Sequence, residues 1–181
     1  MLPMSDIVAD PVRRQRYRFS RDGDDLLAEV ETDPGGDVPG HVHPHQTEWW
    51  EVVEGDVTFI IDGQRRRVSA GDQVCAEAGV RHAFINDGGT VAVLRVRVSP
   101  AGRLQEFLTE AARLATAGAF NQRGLPSSPA GALAVARLAL RHRADIQITS
   151  PPPARLLNLI GRMLRTPTRA ATSTLASGSQ T

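Results

Sequence analysis

The chain has 181 residues, a formal net charge of +1 and one cysteine, Cys75. That length can bury a full hydrophobic core, and 41% hydrophobic with 23% charged residues is an ordinary globular composition. No apolar run reaches the length of a membrane span, the first residues lack a signal-peptide pattern, and a lone cysteine excludes an intramolecular disulfide framework, so a reducing cytoplasm is the expected compartment.

In chain order, Arg13 to Arg21 interleaves arginine with Tyr17 and Phe19 at strand spacing and predicts an edge strand. DGDD (22–25) is a turn, LLAEVET (26–32) a strand, and DPGGDVPG (33–40) a loop dense in Pro and Gly. DVTFIID (56–62) predicts a strand, and Asp62-Gly63 a hairpin turn into the returning strand QRRRVSAG (64–71), whose arginines are expected on a solvated edge. QVCAEAG (73–79), VRHAFIN (80–86) and TVAVLRVRV (90–98) continue the series. Six or more short strands between turns predict an antiparallel barrel or double-sheet sandwich. Cys75, on an apolar strand, is expected to be a small buried hydrophobe.

At Pro100 the pattern changes to helical. Residues 102–118 place Leu104, Phe107, Leu108, Ala111, Leu114 and Ala115 on one stripe. NQRGLP (121–126) reads as a linker, and Ser128-Pro129 as the start of a helix over 130–143. His142 falls near that helix's end and is expected to be solvated or paired with the dipole. SPPP (150–153) breaks the chain before a third amphipathic helix, 154–165, with packing on the barrel or across a dimer as its expected fate. From Thr166 the composition is that of a disordered tail. The predicted organisation is a barrel over 1–100, a helical appendage over 101–165 and a tail over 166–181.

Charge is divided unevenly: residues 1–99 carry −6 and residues 100–181 carry +7. No nucleic-acid-binding module accompanies the basic half, so neither nucleic acid nor membrane is an expected partner.

The chemistry-bearing stretch is GGDVPGHVHPHQTEWWEVVEG (35–55). His41 and His43, one residue apart, leave the same face of an extended strand, and Glu48 follows. Two imidazoles and a carboxylate converging make a seat for a divalent transition metal. His82, on a strand predicted to return across the same sheet, can meet them from the other side. His45 shares their parity and is placed at the mouth or behind the ligands. Trp50 shares Glu48's parity and is expected to wall the pocket; Trp49 faces away, into a sheet or dimer contact.

At these spacings the chain resembles the cupin superfamily. Gly35, His41, His43, Glu48 and Gly55 meet the first family motif in full. Gly71, Gly79, His82 and Asn86 meet the second, with Glu77 where the family usually has proline; a solvated turn glutamate is expected there. The resemblance covers about residues 20–100. It implies a mainly β, jelly-roll barrel with a C-terminal helical appendage and a metal held by His41, His43, Glu48 and His82.

Three neutral imidazoles and one carboxylate leave a dication with a residual positive charge and, for an octahedral ion, two open positions. Fe(II), Mn(II), Ni(II), Co(II) and Zn(II) all suit such a set. The expected function is a metal-dependent enzyme acting on a small organic molecule. Its chemistry is oxygenase-like, an oxidoreductase, or Lewis-acid catalysis as a lyase, isomerase or cyclase, with Glu48 also a possible base. The alternative is a non-catalytic cupin that binds or senses a small ligand. A homodimer is expected, because such barrels commonly pair through their sheets.

Overall fold

Alternation of buried and open side chains builds the molecule, as in Asp25–Thr32, where every second residue is buried. The computed structural model describes residues 5–149; the Pro-rich break, the expected helix 154–165 and the tail lie outside them. In chain order the strands are β1 (Val8–Asp10), β2 (Gln15–Asp22), β3 (Asp25–Thr32), β4 (Asp37–Val42), β5 (Thr47–Glu54), β6 (Asp56–Ile61), β7 (Gln64–Ser69), β8 (Gln73–Ala76), β9 (His82–Ile85) and β10 (Ala92–Ser99). Helices α1 (Leu104–Thr116) and α2 (Pro129–Arg141) follow, then a last short strand, β11 (Gln147–Ile148).

Two sheets form a mainly β jelly-roll sandwich, ordered β1-β2-β3-β10-β5-β8 and β11-β4-β9-β6-β7, with every pairing antiparallel. Between them lie Phe19, Leu26, Val52, Val57, Phe59, Val68, Leu94 and Val98, all fully or almost fully buried. Each such side chain contributes roughly 1.5–3 kcal/mol by leaving water. Gly55 turns β5 into β6 at φ 75°, and a Cβ there would lie 2.9 Å from the Val91 carbonyl, so both backbone and space call for glycine.

Three local readings are corrected. The Pro- and Gly-dense stretch 33–40 turns only at its start, and β4 begins at Asp37; a register break between Val38 and His41 lets Pro39 and Gly40 sit inside a strand. Cys75 is exposed: Val74 and Ala76 take the inward positions of β8, which leaves Cys75 on the outer face opposite Trp49. His142 is fully buried at the end of α2, its ring 5.7 Å from that of Phe107 and its Nε2 3.6 Å from Glu110, because α1 packs over it.

The helices follow their sequence signals. Ser128 Oγ accepts from Gly131 N at 3.0 Å, with Pro129 in the first turn. Leu104 of α1 is buried in the barrel core, with Phe107 and Leu108 packed against it, and Arg141 of α2 holds Glu110 of α1 through both carboxylate oxygens at 2.8 Å.

The two motifs are stitched together at their ends. Gly35 N donates to Asn86 O and Asn86 N to Gly36 O, each at 2.8 Å. The fully buried Asn86 side chain donates to the carbonyls of Thr32 (2.9 Å) and Thr90 (2.8 Å) and accepts from Gly88 N at 3.0 Å. Asn86→Ala removes all three bonds and leaves buried carbonyls without donors. It is expected to lower stability by about 2–4 kcal/mol in urea unfolding, more than a surface Asn→Ala change.

Candidate metal centre

Register and parity bring the site together. His41 on β4 pairs directly with His82 on β9, and their rings stand 4.1 Å apart. His43 follows two residues after His41 and points the same way, and Gly79 N donates to its carbonyl at 2.8 Å. Glu48 comes from the facing sheet, on β5, flanked in register by Val98 and Ala76. One ligand atom from each of His41, His43, Glu48 and His82 lies within 4.8 Å of all the others. All four residues are between 2% and 9% exposed.

The imidazoles are oriented by their outer nitrogens. Nδ1 of His41 donates to Pro39 O (2.9 Å), Nδ1 of His82 to Val80 O (2.9 Å) and Nδ1 of His43 to Asp145 O (2.7 Å). A carbonyl only accepts, so each Nδ1 carries the hydrogen and a neutral ring turns a bare Nε2 lone pair inward. Nε2 of His41 and of His43 lie 3.2 Å apart. Two lone pairs at that distance repel, and a cation placed between them would relieve the contact. Glu48 supplies the balancing anion, its Oε2 standing 3.0 Å from His43 Nε2 and 3.2 Å from His82 Nε2.

The titration of these groups follows from their surroundings. Burial, together with the nearby His82 and His43, pulls the pKa of His41 down to about 3, so its ring is neutral near pH 7. For His43 burial also acts downward, but the bond to Glu48 outweighs it and the pKa is raised. Burial alone would raise the carboxyl of Glu48; its contacts with His43 and His82 prevail and hold it well below the usual carboxylate range. Ligation by a divalent ion requires each inward Nε2 to be free of a hydrogen. Three Nε2 donors and one carboxylate in a dry interior fit such an ion, and the mixed nitrogen and oxygen set suits the transition series rather than Ca²⁺ or Mg²⁺.

The remaining sequence candidates separate clearly. Trp50 is buried with its ring 5.2 Å from that of His82, so it walls the centre. Trp49 points outward, 37% exposed, under Arg97 at 5.1 Å. His45 and Glu77 are exposed and stand outside the cluster. A groove of about 640 Å³ opens on the outer face of the six-stranded sheet beside Trp49, Cys75, Arg95 and Arg97, and none of the four clustered residues lines it.

Two supporting residues escaped the sequence reading. Buried Gln46 donates from Nε2 to the carbonyls of Pro100 (3.0 Å) and Ala101 (2.8 Å), tying the loop between His43 and Glu48 to the start of the helical segment. Asp145 acts through a backbone carbonyl, for which no residue type is a signal.

A jelly-roll barrel with three inward imidazoles and one carboxylate defines a class, and sequence comparison names it. The cupin-domain family model matches residues 28–97, and over that stretch the chain is similar to the cupin superfamily. It is 27% identical over 75 residues to the tetracenomycin polyketide synthase protein TcmJ of Streptomyces glaucescens, which covers 41% of this chain. The chain spans about half the length of that curated relative, the match covering 50% of it. Among solved structures it is similar to KdgF from Halomonas sp., at 20% identity and TM-score 0.49 over 55% of this chain and 91% of that one. It is likewise similar to an RmlC-like cupin from Shewanella frigidimarina, at 20% identity and TM-score 0.49 over 58% and 89%.

The depressed pKa of His41 has a definite sign in stability. Between about 6.5, its ordinary value, and about 3 the unfolded chain takes a proton that the folded site refuses. His41 therefore opposes folding increasingly as pH falls through that window, and has no such effect above it. Metal-stripped His41→Gln should lose less Tm than the wild type between pH 7 and pH 5, read by thermal unfolding in matched buffers.

Proposed function

We propose that this protein is a metal-dependent enzyme acting on a small organic molecule, with His41, His43, Glu48 and His82 as the ligands of one divalent transition ion. The observation that carries the proposal is the pair of inward Nε2 atoms of His41 and His43, 3.2 Å apart beside an ionised Glu48. Such an arrangement is costly in an apolar interior unless a cation sits there. When bound, the ion supplies Lewis-acid or redox chemistry at the positions the protein leaves open.

The chain's own residues hold and shield that chemistry. The carbonyls of Pro39, Val80 and Asp145 keep the three rings in the ligating tautomer. Trp50 closes one wall beside His82 and excludes water there. His43 and His82 both meet Oε2 of Glu48, so Oε1 is the oxygen through which Glu48 would take a proton from a substrate. Similarity to a protein of a polyketide synthase supports a small organic substrate. Oxygenase-like turnover is the favoured form of the chemistry, with lyase, isomerase or cyclase action by Lewis-acid catalysis next to it.

Element-specific analysis of the purified protein should find close to one Fe, Mn, Ni, Co or Zn per chain, before or after reconstitution. His82→Ala should weaken uptake on the order of a hundredfold or more, since it deletes a ligand rather than a support, and abolish turnover. A wild-type protein that takes up none of the five ions would sink the proposal.

A further inference from the structure

The chain beyond the barrel returns to the candidate centre at one point. After α2, residues 142–149 run back onto the five-stranded sheet and are fastened on both sides of Asp145. On one side, Asp145 N and Ile146 N both donate to His142 O at 2.9 Å, which closes a turn on the end of α2. Ile146 is buried in the barrel core. On the other side, β11 pairs with β4 at Val42 and His41. Thr149 N donates to Gly40 O at 2.9 Å, and Thr149 Oγ1 accepts from Arg81 Nε at 2.8 Å. The Asp145 carboxylate accepts from Arg103 N at 2.9 Å, just ahead of α1. Its carbonyl faces inward to His43.

The three imidazoles differ in how they are held. His41 and His82 each take their Nδ1 acceptor from the residue two positions earlier, Pro39 and Val80. Those contacts form within the ligand's own strand or turn. His43 finds its acceptor 102 residues away. Two rings are thus oriented by local backbone, and the third only when the post-barrel segment is docked.

We infer that residues 142–149 are a positioning strap for His43, with the Asp145 carbonyl as the positioning group, and that the helical segment therefore supports the metal centre. This inference rests on the metal reading above only for its consequence in affinity. Without the strap, neutral His43 is free to place its hydrogen on Nε2, the tautomer that cannot ligate, and its ring is free to turn. Supports of this kind change metal affinity by about 10- to 100-fold.

The test uses the full chain with Ile146→Ala, which loosens the buried anchor, and Thr149→Pro, which deletes the N–H bonded to Gly40 at an exposed position. Ile146→Val is the conservative control. Long-range ¹⁵N–¹H spectra of the imidazoles, taken on metal-free protein at a pH where the rings are neutral, read each tautomer. Co(II) titration followed by its visible absorption reads affinity and ligand field. The expected result is that both loosening variants populate the Nε2–H form of His43 while His41 and His82 keep Nδ1–H. Co(II) affinity should fall about 10- to 100-fold with a changed spectrum, and Ile146→Val should match the wild type. Should Ile146→Ala not fold, Thr149→Pro alone decides. A folded variant with the wild-type His43 tautomer and wild-type Co(II) binding overturns the strap. A His43 tautomer that shifts in the variants, in a wild-type protein that takes up no Co(II), upholds the strap and counts against the metal reading alone.

Discussion

The structure depends on one electrostatic constraint: three ring nitrogens and a carboxylate oxygen share a space from which water is excluded. Burial keeps His41 unprotonated near pH 7, and the contacts with His43 and His82 keep Glu48 ionised against the pull of that same burial. A site of this kind is held together by its frame rather than by its own contacts. That frame is the sandwich around it, with Val98 and Ala76 beside Glu48 and Trp50 against His82.

The frame explains why the two motifs are far apart in sequence and inseparable in space. The first supplies β4, a loop and β5, which place ligands in both sheets. The second supplies β9, whose register against β4 sets His82 opposite His41. Their outer ends are joined through Gly35, Gly36 and Asn86, and their inner ends through Gly79 and His43. Strain at either join would be felt as a change in the distance between ring nitrogens, because β-strands transmit displacement along their length with little give.

Much of this was legible in the residues, and the exceptions have physical reasons. Strand periodicity is two, so the shared face of His41 and His43 and the opposite faces of Trp49 and Trp50 could be read directly. Periodicity does not say which face is the inside, and for the short strand β8 the choice fell the other way, leaving Cys75 in solvent. A bulge hides Pro39 and Gly40 inside a strand because the register shift absorbs the missing N–H. The Asp145 carbonyl and the two-residue β11 were invisible. Every residue has a carbonyl, and pairing this brief is decided by the tertiary fold.

The borders of the two sheets have a consequence for the protein's behaviour at high concentration. Among the described residues, three of the four outermost strands are short: β1 has 3 residues, β8 has 4 and β11 has 2. The fourth, β7, is 6 residues long and carries Arg65, Arg66 and Arg67 in an exposed row. A free strand edge of that length is a template on which a neighbouring molecule can add its own strand. Arg66 and the ion pairs Arg65–Asp87 and Arg67–Asp56 keep that edge charged and hydrated, which makes the addition unfavourable. The triplet thus guards the barrel against ordered self-association.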